Sequence, residues 1–145
     1  MVFSEGVRNR EDANERFDRM LMVADRFPFA KQPVFDLASG TLLGYSGIDT
    51  FHYDGRERLE YGYRLDVPAR GRGLATEAAQ ALLSVADSMV EELDPVWQRE
   101  VHALIDPTNR PSQRVAEKCG FRFWRHDLVE GFHDDILRRP LGQPE

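Results

Sequence analysis

The sequence predicts a single mixed α/β domain built on a central sheet, and three observations carry that prediction. Residues 33–67 contain three strand-like runs separated by turn signals, the third of them alternating apolar and polar side chains. Residues 59–105 read as strand, helix, strand, and after a short helical stretch the chain closes on two more strand-like runs. A chain of 145 residues suits one domain with one core.

Taken in order, Glu11 to Arg26 places Phe17, Met20, Leu21 and Ala24 at helical spacing, with Pro28 just past the end. Pro33 to Leu37 and Thr41 to Phe51 read as strands joined at Ser39-Gly40. Tyr53-Asp54-Gly55-Arg56 then turns the chain into a third strand, Leu59 to Val67, which completes an antiparallel meander. Within that third strand Leu59, Tyr61, Tyr63, Leu65 and Val67 share one face, expected to be core. Glu60, Gly62, Arg64 and Asp66 share the other, expected to be polar. The run Leu74 to Val90 carries Ala75, Ala79, Leu82, Ala86 and Met89 as an apolar helical stripe. Trp97 to Ile105 follows as a strand, and the crossover predicts that it lies parallel to the third. Pro111 to Cys119 reads as a helix with proline in its first turn and Gly120 as its stop, and Phe121 to Leu128 with Phe132 to Leu137 form a final hairpin.

Charge and cysteine usage narrow the function. The formal net charge of -6 argues against nonspecific nucleic-acid binding, which needs a basic surface, and favours a cationic partner such as an amine. The lone Cys119 cannot close an internal disulfide and is expected to be buried filler at a helix end. His52, His102, His126 and His133 have no metal-ligand spacing, so no metal is assigned. No signal-peptide pattern or membrane-length apolar run is present, which predicts a protein of the cytoplasm with no membrane partner.

The most informative stretch is Arg70-Gly71-Arg72-Gly73-Leu74-Ala75-Thr76, at the junction of the third strand and the long helix. Glycines let the chain turn sharply and present consecutive N–H groups at a helix N-terminus, a place that favours an anion. A nucleoside-triphosphate loop needs Lys and Ser/Thr after the second glycine, where Leu74, Ala75 and Thr76 stand. A dinucleotide fingerprint finds Gly71 and Gly73 but meets Thr76 in the third glycine position, with no acidic residue closing a second short strand about 20 residues on.

The third pattern, Arg/Gln-x-x-Gly-x-Gly/Ala, is met by Arg70, Gly73 and Ala75, and it resembles the pyrophosphate loop of the GNAT acyltransferase superfamily. Glu60-Tyr61-Gly62-Tyr63-Arg64-Leu65 before the loop and Ala75-Thr76-Glu77-Ala78 after it extend the resemblance. So does Asp106-Pro107-x-Asn109-x-x-Ser112-x-x-Val115-Ala116-Glu117-Lys118-x-Gly120-Phe121, and together the motifs are similar to the branch containing the ribosomal-protein N-terminal-alanine acetyltransferases.

The resemblance implies a GNAT-like fold: a mostly antiparallel sheet with one splayed parallel strand pair and helices on both faces. It implies acetyl-CoA as co-substrate and a primary amine as acceptor, either a peptide N-terminus or a small molecule, with a CoA-binding protein that does not catalyse as the alternative. By the same resemblance, backbone groups of Leu65, Asp66 and Val67 hold the pantetheine arm and polarise the thioester. Arg70, Gly71, Arg72, Gly73, Leu74, Ala75 and Thr76 hold the pyrophosphate, and Asn109 and Ser112 contact the cofactor from the short helix. Asn109 and Ser112 also fit ordinary helix caps. Where many members carry a tyrosine acid this chain has Ala116, which leaves Tyr63 and Ser112 as substitutes. Glu60, on the polar strand face, is the candidate general base, and a solvated strand residue is the alternative. Measured against the family pattern, a first strand and helix are missing before Glu11, and an upstream start codon would explain that equally well. The exposed sheet edge that results predicts a homodimer.

Overall fold

In the computed structural model, residues 18, 21–97 and 99–142 are described. The expected helix at 11–26 falls largely outside them, as does the expected N-terminal shortening; its described part, 21–26, is helical and is called α1. Strands β1 (Gln32–Phe35), β2 (Leu42–Tyr53) and β3 (Arg56–Leu65) form the meander, and α2 (Leu74–Ser88) leads to β4 (Glu100–Ile105). After α3 (Arg110–Lys118), β5 (Arg122–Val129) and β6 (Phe132–Pro140) complete a six-stranded sheet of order β1-β2-β3-β4-β6-β5. Every neighbouring pair is antiparallel except β3 and β4.

The core forms on the sheet face that carries the odd-numbered residues of β3. Leu59 and Tyr61 pack there with Val101, Ala103 and Ile105 of β4, Ala79, Leu83 and Ala86 of α2, Val23 of α1 and Ala116 of α3. The helix stripe matches the sequence reading at Ala79 and Ala86 and adds Leu83, which is buried, whereas Leu82 and Met89 are only partly so.

Two boundaries differ from expectation, each at a 3-10 turn that contains a proline. Val67 was placed on the core face of β3, but Pro68 cannot donate to a ladder. Residues Val67–Ala69 turn instead as a 3-10 helix that leaves Val67 70% exposed. Trp97 belongs to a 3-10 turn, Pro95–Trp97, and β4 starts only at Glu100. The third difference matters more for function. The polar face of β3 is buried over part of its length: Arg58 and Glu60 are 7% and 6% exposed, and the neighbouring Asp49 and His102 are covered as well, whereas Arg64 and Asp66 are exposed.

Candidate functional site

Strands β3 and β4 share register only at Leu59↔Val101 and Glu60↔His102, so beyond Glu60 the two part. The N–H of Asp66 donates to the Leu43 carbonyl of β2 at 2.8 Å, and backbone groups alternate sides along a strand. The even-numbered residues of β3 therefore bond β2, and the N–H and C=O groups of Tyr63 and Leu65 turn toward the gap that β4 leaves.

A cleft of about 700 Å³ opens at this gap, within the usual range for small-molecule sites. The C-terminal half of β3 forms its floor, the 70–76 loop with the start of α2 one wall, and α3 the other. Gly71 and Gly73 have φ of +75° and +76°, a left-handed conformation that disfavours any residue with a side chain. Gly73 is the N-cap of α2 and offers no side-chain cap, so the first N–H groups of the helix, on Leu74, Ala75 and Thr76, point into the cleft without a helical partner.

The electrostatics are one-sided. Arg64, Arg70, Arg114 and Lys118 line the cleft, and among the described residues no carboxylate lines it, although the chain as a whole carries -6. Arg70 is held by its Nε donating to the Leu65 carbonyl at 3.1 Å, which fixes the loop against the end of β3. Arg114 and Lys118 stand four residues apart on one face of α3. Sequence reasoning missed both. Their spacing was visible, but a cationic helix stripe ordinarily means solvent, and only the splay of the sheet makes it a cleft wall.

Across the gap, the Tyr63 hydroxyl and Ser112 Oγ lie 3.1 Å apart, which ties β3 to α3. Burial pushes the Tyr63 hydroxyl above its usual value against the opposing effect of the Ser112 bond, so it remains a proton donor at neutral pH. Asn109 caps α3, with its Oδ1 accepting from the Ser112 N–H at 3.2 Å, and it lines the cleft too, so the cap and the site are the same residue. Ala116 and Cys119 are buried beneath this wall, and burial raises the Cys119 thiol, which keeps it protonated and unreactive.

The structure thus brings together Tyr63, Leu65, Arg70, Gly71, Gly73, Leu74, Ala75, Thr76, Asn109 and Ser112. It sets four of the expected residues apart, Glu60 among them. The Arg72 guanidinium turns to Asp36 at 3.7 Å, Asp66 lines a separate hollow beside it, and Val67 points to solvent. The backbone carbonyls of Asp66 and Val67 are also engaged: the first accepts from the Ala69 N–H and the second from the Arg70 N–H. Glu60 does not line the cleft. It stands on the opposite sheet face at the last paired position of β3 and β4, so Tyr63 and Glu60 flank the opening from two sides.

Sequence comparison agrees with this geometry. The profile described as "Acetyltransferase (GNAT) domain" matches residues 1–122. The chain belongs to the GNAT acetyltransferase family. Among curated proteins, protein YkkB of Bacillus subtilis (strain 168) is 34% identical over 88 residues, covering 61% of this chain and 48% of that protein. The match thus spans about half the length of that relative. A GnaT-family acetyltransferase from Bordetella pertussis superposes with a TM-score of 0.72 at 28% identity, covering 94% of this chain and 82% of the other. The spermidine N-acetyltransferase from Vibrio cholerae, solved in complex with CoA and spermine, has the same GNAT fold, with a TM-score of 0.60 and 18% identity over 94% of this chain and 76% of that one.

Proposed function

We propose that this GNAT protein transfers the acetyl group of acetyl-CoA to a primary amine by direct attack on the thioester. The observation that carries the reading is the cleft, whose described lining holds four cationic residues and no carboxylate, together with the uncapped N-terminus of α2, at the point where β3 and β4 separate. Such a cleft suits a ligand with several phosphates and an extended arm that can pair with strand backbone. Bound acetyl-CoA supplies an activated acyl group with a thiolate as leaving group.

The residues then divide the work. The N–H groups of Leu74, Ala75 and Thr76, with Arg70, Arg114 and Lys118, bind phosphate oxygens. The strand groups of Tyr63 and Leu65 that face the gap hold the arm, and a backbone N–H there stabilises charge on the carbonyl oxygen without reorganisation. Tyr63, kept protonated by burial and oriented by Ser112, donates toward the leaving sulfur. Glu60 takes the proton from the amine on the far side of the sheet. An α-amine of pKa about 8 costs about 1.4 kcal/mol to neutralise at pH 7, against about 4.6 kcal/mol for a lysine side chain near 10.4, so weakly basic amines such as a peptide N-terminus are the favoured acceptors.

The test is thiol release from acetyl-CoA with a panel containing an alanine-led peptide, a lysine-bearing blocked peptide and spermidine, with the acetylated product identified by mass. Amine-dependent release supports the reading. Tight CoA binding with no amine-dependent release would replace it with a CoA-binding protein that does not catalyse. We also propose a homodimer, because β1 is the outer strand of the described sheet and Phe35, Leu37 and Tyr45 are exposed along it. Sedimentation at micromolar concentration should show twice the chain mass, and a monomer would contradict it.

A further inference from the structure

A second pocket, of about 240 Å³, lies away from the cleft and shares none of its lining residues. Whereas the cleft uses the C-terminal half of β3, this pocket uses the start of β3 and β4 together with β5 and β6. Its lining includes Arg56, Arg58, Arg99, Arg138, His102 and Trp124. Among the described residues, two carboxylates, Asp54 and Glu100, line it beside these four arginines. In a chain of net charge -6 that is a local reversal of sign.

The cations are held in place without being neutralised. The guanidinium carbons of Arg138 and Arg58 lie 4.8 and 5.4 Å from the Trp124 ring centroid, with Arg125 at 4.0 Å, so the negative face of one indole gathers three positive groups. Among the described residues, the arginine-carboxylate pairs within 4.0 Å are formed by Arg26, Arg72 and Arg139, none of which lines this pocket. Arg58 is 7% exposed, and its Nε donates to the Tyr53 carbonyl at 3.2 Å. Burial lowers its pKa, as does the neighbouring Arg56, against the opposing effect of Glu100 and Asp54.

His102 also lines the pocket; it is 1% exposed, with Nδ1 3.3 Å from the Leu59 carbonyl and Nε2 3.0 Å from the Glu100 carboxylate. Burial lowers its pKa against the opposing effect of Glu100, so the positive charge of the pocket comes from the arginines.

We infer that this pocket binds a compact phosphate dianion, either inorganic phosphate or the phosphate group of a small monoester. Planar guanidinium forks match phosphate oxygens two at a time, and several of them together favour a dianion over a single carboxylate. A volume of about 240 Å³ admits such a group but not a second CoA.

Calorimetric titration of the full chain with inorganic phosphate, glycerol 3-phosphate and acetate, each against chloride at equal ionic strength, tests this. The titrations are run with CoA at saturation and, in parallel, on the Arg114→Gln/Lys118→Gln chain without CoA, so that a failure of the CoA reading is seen separately from a failure of this one. Phosphate or the monoester should bind, acetate should bind at least tenfold more weakly, and the stronger of the first two identifies the source. Arg99→Gln/Arg138→Gln changes two exposed residues, leaves folding intact and should weaken phosphate at least tenfold; Arg58→Lys should weaken it while keeping the charge. No phosphate heat beyond chloride, or unchanged affinity in the Arg99→Gln/Arg138→Gln chain, overturns the inference.

Discussion

Replacing Gly73 with alanine separates what the loop does for folding from what it does for binding. Gly73 sits at φ +76°, and a Cβ built there meets no atom within 4 Å. The substitution therefore clashes with nothing in the protein and costs only the left-handed backbone, about 1–2 kcal/mol, less a few tenths to 1 kcal/mol from the stiffer unfolded chain. At about 2.1 cal/mol/K of unfolding entropy per residue, a net cost of about 1 kcal/mol lowers the Tm of a 145-residue chain by about 3 °C. Gly40 supplies the control, because it too is left-handed at φ +73° with open space around it, but it lies in the turn between β1 and β2. Gly40→Ala should show the same thermal loss and an unchanged CoA affinity. In Gly73→Ala the methyl group occupies the approach to the N–H groups of Leu74, Ala75 and Thr76. Losing one or two charge-assisted hydrogen bonds of about 1.5–3 kcal/mol each weakens CoA at least tenfold. The assays are calorimetric titration with CoA and a thermal melt of each variant. If Gly73→Ala binds CoA as tightly as Gly40→Ala, the phosphates do not sit on this helix end and the site argument fails.

Three further outcomes follow from the same structure. Glu60→Gln should lower turnover and leave CoA affinity nearly unchanged, with the deficit shrinking as pH rises toward the pKa of the amine; equal turnover from pH 6 to 9 would make Glu60 a structural residue. Tyr63→Phe removes the hydroxyl that lies 3.1 Å from Ser112 and should reduce kcat several-fold, with a smaller effect on KM for acetyl-CoA; a fall confined to KM would make the hydroxyl a binding group instead. Asp87 carries the third. Burial pushes its carboxyl up, but the bonds from Arg139 at 2.8 and 3.0 Å and from the Gly142 N–H outweigh this and hold it below its usual value. A lowered folded pKa contributes stability above the unfolded value of about 4 that is lost as pH falls through the folded one. Asp87→Asn should therefore cost about 1–3 kcal/mol at pH 7, and the gap should close below pH 4; a gap independent of pH would refute the charge argument.

What the sequence revealed depended on whether the physical cause was local. Gly71 and Gly73 were readable because a left-handed turn at a helix start is a property of the few residues that make it. The alternation of β3 correctly assigned Leu59, Tyr61 and Leu65 to the core. It could not show that Arg58 and Glu60, on the other face, are buried too, since alternation separates faces without saying what covers each of them. Arg70 and Arg72 are two residues apart in one turn, yet one lines the cleft and the other reaches Asp36; that choice is made by β1 and β2, which are distant in sequence. Arg114 and Lys118 gained their role only from the separation of β3 and β4. The cap at Asn109 was legible, and its second use as cleft lining rested on the longer motif around it.

The most direct test is a side-by-side titration of the chain with acetyl-CoA, CoA, ATP and NAD, read by calorimetry and by the shift in Tm that a native-state ligand produces. Acetyl-CoA and CoA should bind one per chain, at least tenfold more tightly than ATP or NAD, and Arg114→Gln should weaken both CoA forms and reduce their salt dependence. Preference for ATP or NAD, or CoA binding that ignores both Gly73→Ala and Arg114→Gln, would contradict the assignment of the cleft between β3, α2 and α3.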